Sequence, residues 1–177
     1  MNRTIFQEKV FPIRHKLYRF ALSITGNTHE AEDVVQEVME KVWKSAEQTM
    51  ETVQNWEAWC MTLTRNRSLD KNRSRTLRRT ENVEDVLPQR QTHEANPAQS
   101  LESEDMVHQI RKMMQDLPEK HRMVMHLRDI EELSYEEIAE TLELSLDQVK
   151  VCLHRARKAI RERITGLETA KSQNIEL

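Results

Sequence analysis

The apolar positions of the first 25 residues recur at helical spacing. Phe6, Val10, Ile13, Leu17, Phe20, Ala21 and Ile24 fall three or four residues apart or side by side, which lays one apolar stripe along a helix. Gly26-Asn27 interrupts the stripe, and Asn27 with Glu30 three residues on forms a capping pair. A second helix then carries Ala31, Val34, Val35, Val38, Met39, Val42, Trp43 and Ala46 on one face, with Glu30, Glu32, Asp33, Gln36, Glu37 and Glu40 on the other. Residues Glu47 to Gln54 read as a polar connector. Asn55 is placed to cap a third helix with Trp56, Trp59, Cys60 and Leu63 inward. The second half of that helix turns basic, with Arg65, Arg67, Lys71, Arg73, Arg75, Arg78 and Arg79 against Asp70.

Periodicity is lost over about residues 80–103, where Pro88, Pro97 and a run of Gln, Asn, Ser and acidic residues describe a linker. It resumes with Met106, Val107, Ile110, Met113, Met114 and Leu117. Pro118 punctuates the chain there, and a helix carrying Met123, Val124 and Leu127 follows. Ser134-Tyr-Glu-Glu137 is a capping box, with Leu133 and Ile138 as its hydrophobic staple. The device recurs at Ser145-Leu-Asp-Gln148, with Leu144 and Val149 as the staple. The helix it opens turns Val149, Leu153, Ala156, Ile160 and Ile164 inward. Two capped helices with a short turn between Leu142 and Ser145 describe a helix-turn-helix.

Charge sharpens this pattern. The net charge of the 177 residues is only −3, but residues 1–80 carry +4, residues 81–105 carry −6 and residues 106–177 carry −1. Within the last stretch, residues 129–147 hold eight acids and no Lys or Arg, whereas residues 148–163 are net +5. The second helix of the pair is therefore the one suited to a phosphate-lined groove. A solvated basic face on an ordinary helical hairpin would give the same charge run. What favours DNA is the doubled capping box combined with the charge segregation.

Composition narrows the fold class. Two Gly and four Pro in 177 residues leave too few tight turns for a β sandwich, and 5% aromatic residues do not build one large core. The expectation is an all-α protein of two small helical domains, 1–79 and 105–177, joined by a flexible acidic linker over 80–104, with the helix-turn-helix in the second. Two cysteines cannot make a disulfide framework. The uncharged run Phe20 to His29 is far short of a membrane span, and no basic-then-apolar leader opens the chain. A cytoplasmic protein without membrane insertion is expected.

An enzyme finds little support. No H-E-x-x-H occurs, since His29-Glu30 runs into Ala-Glu-Asp and His93-Glu94 into Ala-Asn-Pro. His121 and His126 do not converge on one helix face, and Cys152 and His154 point apart. There is no phosphate-binding Gly loop, so no metal, cofactor or catalytic residue is expected.

Three stretches, in order, resemble the small extracytoplasmic-function (ECF) sigma factors of bacterial RNA polymerase. Glu32-Asp-Val-Val-Gln-Glu-Val-Met-Glu-Lys-Val-Trp43 resembles the helix of region 2 that binds core polymerase. Trp59 to Arg73 resembles the helix that engages the melted −10 element. Leu117-Pro118, Leu133 to Ala139, Val149-Lys150 and Leu153 to Ala159 are similar to the helix-turn-helix of region 4, which reads −35. The sequence departs from the family at Glu143, often Gly, and at Val151-Cys152, often Ser-Arg.

The resemblance implies promoter-specific initiation with core RNA polymerase and promoter DNA as partners, and an anti-sigma factor as a further one. It places core contacts on Asp33, Gln36, Glu37 and Glu40. It places −10 contacts on Arg65, Asn66, Arg67, Lys71, Arg73 and Arg75, and −35 contacts on Gln148, Lys150, Val151, His154, Arg155 and Lys158. Family members capture a flipped base near the connector, where Gln48, Thr49, Thr52, Gln54 and Asn55 are available. Helical spacing puts Trp43, Trp56 and Trp59 in the core rather than against bases, and the acidic linker is expected to follow the polymerase's basic RNA path. A simple helix-turn-helix repressor would account for residues 129–164 but leave the first lobe without a task. It would also call for a dimer on a palindrome, for which the chain offers no heptad seam.

Overall fold

A computed structural model describes residues 3–49, 53–81 and 109–173. Helices α1 (Arg14–Thr25), α2 (Thr28–Thr49) and α3 (Trp56–Glu81) form the first lobe, and no strand occurs among the described residues. Helices α4 (109–115), α5 (Glu119–Asp129), α6 (Tyr135–Leu142) and α7 (Leu146–Gln173) form the second. Residues 82–104 of the expected linker, with Met106 and Val107, lie outside the described residues, and α3 continues to Glu81.

The single helix expected over Phe6 to Ile24 is broken. An α turn (Arg3–Ile5) passes into a π turn (Phe6–Val10) and a 3-10 turn (Phe11–Ile13) before α1 begins. Pro12 is the cause. It has no N–H to donate, and its ring crowds the preceding turn. Phe11 N–H accordingly bonds back to the carbonyl of Phe6, one residue farther than in an α-helix. The stripe itself survives, with Val10, Leu17, Phe20, Ala21 and Ile24 all buried.

Local signals set the helix ends. Gly26 takes the left-handed conformation at φ 65° and its N–H bonds Leu22 O at 2.9 Å, closing α1. Asn27 Oδ1 accepts Glu30 N–H at 3.0 Å, so Asn27 caps α2 as expected. The Glu30 carboxylate goes elsewhere, to Arg75 at 3.0 Å. The connector is shorter than expected because α2 runs on through Thr49; residues 50–52 lie outside the described residues. Asn55 Oδ1 accepts Ala58 N–H at 3.0 Å at the start of α3.

The first lobe buries Leu17, Phe20, Val34, Val38, Val42, Cys60 and Met61. Trp56 and Trp59 pack edge to face at 5.6 Å against this core. Trp43 is an exception to its expected place. It stands 47% exposed, its ring edge to face with Phe6 at 5.0 Å. In the second lobe Met113, Met114 and Leu117 pack on Ala156 and Ile160 of α7. The methionines there fill core, as their unbranched, adaptable side chains suit. Pro118 caps α5, with Arg122 N–H bonded to its carbonyl at 3.0 Å.

Candidate nucleic-acid and polymerase interface

Both capping boxes of the helix-turn-helix are formed in full. Ser134 N–H donates to Glu137 Oε2 at 2.7 Å while Glu137 N–H donates to Ser134 Oγ at 3.2 Å. Ser145 N–H donates to Gln148 Oε1 at 2.9 Å and Gln148 N–H to Ser145 Oγ at 3.2 Å. Between them Glu143 adopts the left-handed conformation at φ 55°. Leu144 N–H reaches Ala139 O at 2.9 Å and Glu143 N–H reaches Glu140 O at 3.3 Å, which is a Schellman end to α6. Leu133, Ile138 and Val149 are buried, as staples should be.

This framing sets the face that α7 presents. Val149, Cys152, Leu153, Ala156 and Ile160 are buried. Gln148, Lys150, Val151, His154, Arg155 and Lys158 are all exposed on the opposite side. Among the described residues Lys150 and Lys158 make only long within-helix pairs, with Asp147 at 3.9 Å and Glu162 at 3.8 Å. Gln148 spends its carbonyl oxygen on the cap, so what it offers outward is its amide NH2. Val151, 45% exposed, places an apolar group among these polar ones, where a thymine methyl could be met. Arg157 points elsewhere and holds Asp129 at the end of α5 through two bonds, one of them Nε to Oδ2 at 3.1 Å.

In the first lobe the expected −10 and core sets meet each other. Arg67 bonds Glu37 directly. Lys71 lies 3.2 Å from Glu37 and 3.4 Å from Asp33, and Arg75 lies 3.0 Å from Glu30. A basic row on α3 thus faces an acidic row on α2. Glu37 is held below the usual carboxylate range, first by its bond from Arg67, against the opposing effect of burial, and then by Lys71. Asp33, Gln36 and Glu40 remain exposed, as do Asn66, Arg67 and Arg73. Glu40 also pairs with Lys44 at 2.5 Å. Arg65 departs from the row: its Nη1 reaches Glu143 of the other lobe at 3.0 Å.

Among the described residues no group of three His, Cys, Asp or Glu could hold a metal. Cys60 is sealed in the core, where burial, with a smaller effect from Glu57, pushes its thiol up to about 12. No helix among the described residues is long and apolar enough to cross a membrane.

Comparison with known proteins decides the family. The Sigma-70 region 2 model matches residues 13–80 and the Sigma-70 region 4 model matches residues 108–160. The ECF RNA polymerase sigma factor SigL of Mycobacterium tuberculosis is 32% identical over 145 residues, covering 82% of this chain and 80% of the relative. The chain belongs to the ECF family of RNA polymerase sigma factors. SigE of Mycolicibacterium smegmatis is 33% identical over 164 residues; that match takes in 89% of this chain but only 61% of the relative's length. Among solved structures, the sigma factor RpoE from Bartonella quintana, crystallised with the anti-sigma factor NepR, shares the fold. Its TM-score is 0.73 at 23% identity, covering 90% of this chain and 96% of that one.

In this sigma factor the two regions touch, which sequence reasoning left open. Phe20 of α1 stacks on His126 of α5 at 5.6 Å, and one buried cluster runs from Leu17 and Met61 through Val124 and Leu127 to Ile138. Arg19 forks onto Glu131, Nε to Oε1 at 2.9 Å and Nη2 to Oε2 at 2.6 Å. His126 Nε2 lies 3.2 Å from the same carboxylate, whose side chain has 0% exposure. Burial raises the Glu131 carboxyl, and the bonds from His126 and Arg19 together outweigh it, so that it sits below its ordinary value. Asn55 Nδ2 donates to Glu137 Oε1 at 2.6 Å, and Thr141 Oγ1 lies 3.5 Å from Ala58 O. Sequence signalled none of these pairs. Their only trace was the eight-acid run from Asp129 to Asp147.

Proposed function

We propose that this ECF sigma factor binds core RNA polymerase and directs promoter-specific initiation. In this reading α7 lies in the major groove of the −35 element, and α3 holds the −10 strand once it is melted. The observation that carries it is the doubly capped helix-turn-helix, whose exposed side bears Gln148, Lys150, Val151, His154, Arg155 and Lys158. Base edges are read from the start of such a helix, and Lys and Arg hold phosphates there.

The core-polymerase contact falls on the exposed side of α2, at Asp33, Gln36, Glu37 and Glu40, where carboxylates suit a basic partner. Asn66, Arg67, Lys71, Arg73 and Arg75 supply the −10 surface, joined by Arg65. The domain limits 1–79, 80–104 and 105–177, the acidic linker's path through polymerase and an anti-sigma partner belong to the same reading. That partner finds support in the RpoE likeness, a structure solved with an anti-sigma factor. The protein is read as a cytoplasmic regulator without a catalytic step or cofactor.

Titration of the purified chain against bacterial core RNA polymerase, followed by size exclusion, tests this. A stoichiometric complex that supports run-off transcription is expected. Asp33→Ala/Gln36→Ala should lower core affinity with unchanged helicity. DNA binding by the chain alone, without a core complex, would favour a simple helix-turn-helix regulator.

A further inference from the structure

The outward arc of α7 is made of hydrogen-bonding side chains, with one exception. Apart from Arg157, the exposed positions from Asp147 to Lys158 spread over about 160° of the helix, from Lys150 to Gln148, at ~100° per residue. Val151 stands ~20° from the middle of that arc. Every other side chain in it carries a hydrogen-bonding group. Leu146, the other exposed apolar residue at the start of α7, falls ~40° outside it.

The fold does not account for Val151. It is 45% exposed, whereas its apolar neighbours Val149 and Leu153 are 0% and 2% exposed. A β-branched residue is also a poorer helix former at an exposed position than Ala, Lys or Gln. A lone surface valine needs no explanation by itself. At the centre of a face that meets base edges, however, it has no hydrogen bond to give or take. A polar base edge set against it would lose its water with nothing in return. The one apolar group on the floor of the major groove is the C5 methyl of thymine.

Gln148, one turn earlier, sharpens this. A free glutamine reads adenine with its oxygen and its amide together. Here Oε1 accepts Ser145 N–H at 2.9 Å and is engaged in the cap, so Gln148 is left to donate outward. Lys150, Arg155 and Lys158 are donors too, and serve phosphate and guanine alike. Discrimination among bases at the start of α7 then falls to the apolar contact.

We propose that Val151 is a specificity residue of α7: it seats the C5 methyl of one thymine in the −35 duplex and disfavours adenine, guanine and cytosine there, which lack that methyl. This rests on the reading of α7 as the −35 helix, and adds which base chemistry the helix selects.

The test uses the full chain, alone and bound to bacterial core polymerase, on a pool of duplexes with 20 random base pairs. Bound duplexes are enriched and their common site is determined. Each thymine of that site is then replaced singly by deoxyuridine, which pairs as thymine does and lacks only the methyl. At one thymine this should weaken binding about fourfold, the effect of one methyl group no longer withdrawn from water. Val151→Ser should bind thymine and deoxyuridine equally at that position, with helicity by circular dichroism unchanged because the side chain is exposed. Val151→Ile should keep the difference. A common site with no methyl-sensitive thymine, or a methyl effect of the same size in Val151→Ser, would overturn the proposal. Enrichment of no common site in either form would overturn it together with the −35 reading. Methyl-sensitive duplex binding by a chain that never binds core polymerase would sink the sigma reading and leave the role of Val151 intact.

Discussion

Glu143 shows how a residue can serve position and pairing at once. A left-handed backbone costs an L-residue about 1–2 kcal/mol, and Glu143 accepts that cost at φ 55° where the Schellman end of α6 requires it. Its carboxylate returns little, since its side chain is 71% exposed and such pairs contribute ~0–1 kcal/mol. Glu143→Gly should therefore leave the chain at least as stable as wild type, with an equal or higher midpoint in thermal melting followed by circular dichroism. A clearly lower midpoint would mean that Arg65–Glu143 carries more of the fold than its exposure suggests. The departure from Gly at this position is visible in the sequence. Its reason is not, because Arg65 lies 78 residues away and nothing local signals the pair.

At the scale of elements, sequence is most informative where the cause is local. Both capping boxes, both staples and the inward face of α7 follow from spacings of three and four residues, and all are formed. The break at Pro12 and the continuation of α2 to Thr49 are decided by one missing N–H and by a polar stretch with no breaker in it. The charge faces of α2 and α3 are equally legible, but not that they face each other. Glu37–Arg67 and Asp33–Lys71 join positions 30 and 38 residues apart, a matter of how helices cross rather than of period. The basic residues of α3 thus have two calls on them, a fixed acidic row and a DNA strand. On the outward face of α7, Lys150 and Lys158 have long within-helix pairs with Asp147 and Glu162, so that face is where a simple electrostatic experiment is cleanest. Lys150→Ala/Arg155→Ala should weaken promoter-duplex binding and lower the slope of log affinity against log salt by about two. An unchanged slope would remove this face of α7 from the DNA.

For the whole molecule, the contact between the two lobes is expected to depend on pH through the carboxylates that form it. Glu131 faces Arg19 and His126, and Glu137 faces Ser134, Asn55 and Lys16. Both carboxyls lie below their ordinary value. For Glu137 the backbone bond from Ser134 is the largest cause, burial opposes it, and Asn55 and Lys16 add to the lowering. A carboxylate lowered in this way stabilises the folded, docked form fully above the unperturbed value of ~4.3. That contribution is lost as pH falls through the lowered value. Opening releases Glu131 from Arg19 and Glu137 from Asn55, so each carboxyl then titrates closer to its ordinary value. Acidification below ~4.3 should therefore loosen the contact before the helices melt, because the backbone hydrogen bonds within the helices do not titrate, whereas the carboxylates at the contact do. Scattering at stepwise lower pH should show the radius of gyration rising while helicity holds, and Glu131→Gln should flatten that rise. Loss of helicity and compactness at one common pH would mean that the two lobes and their contact form a single cooperative unit, with no separate opening step for DNA or polymerase to exploit.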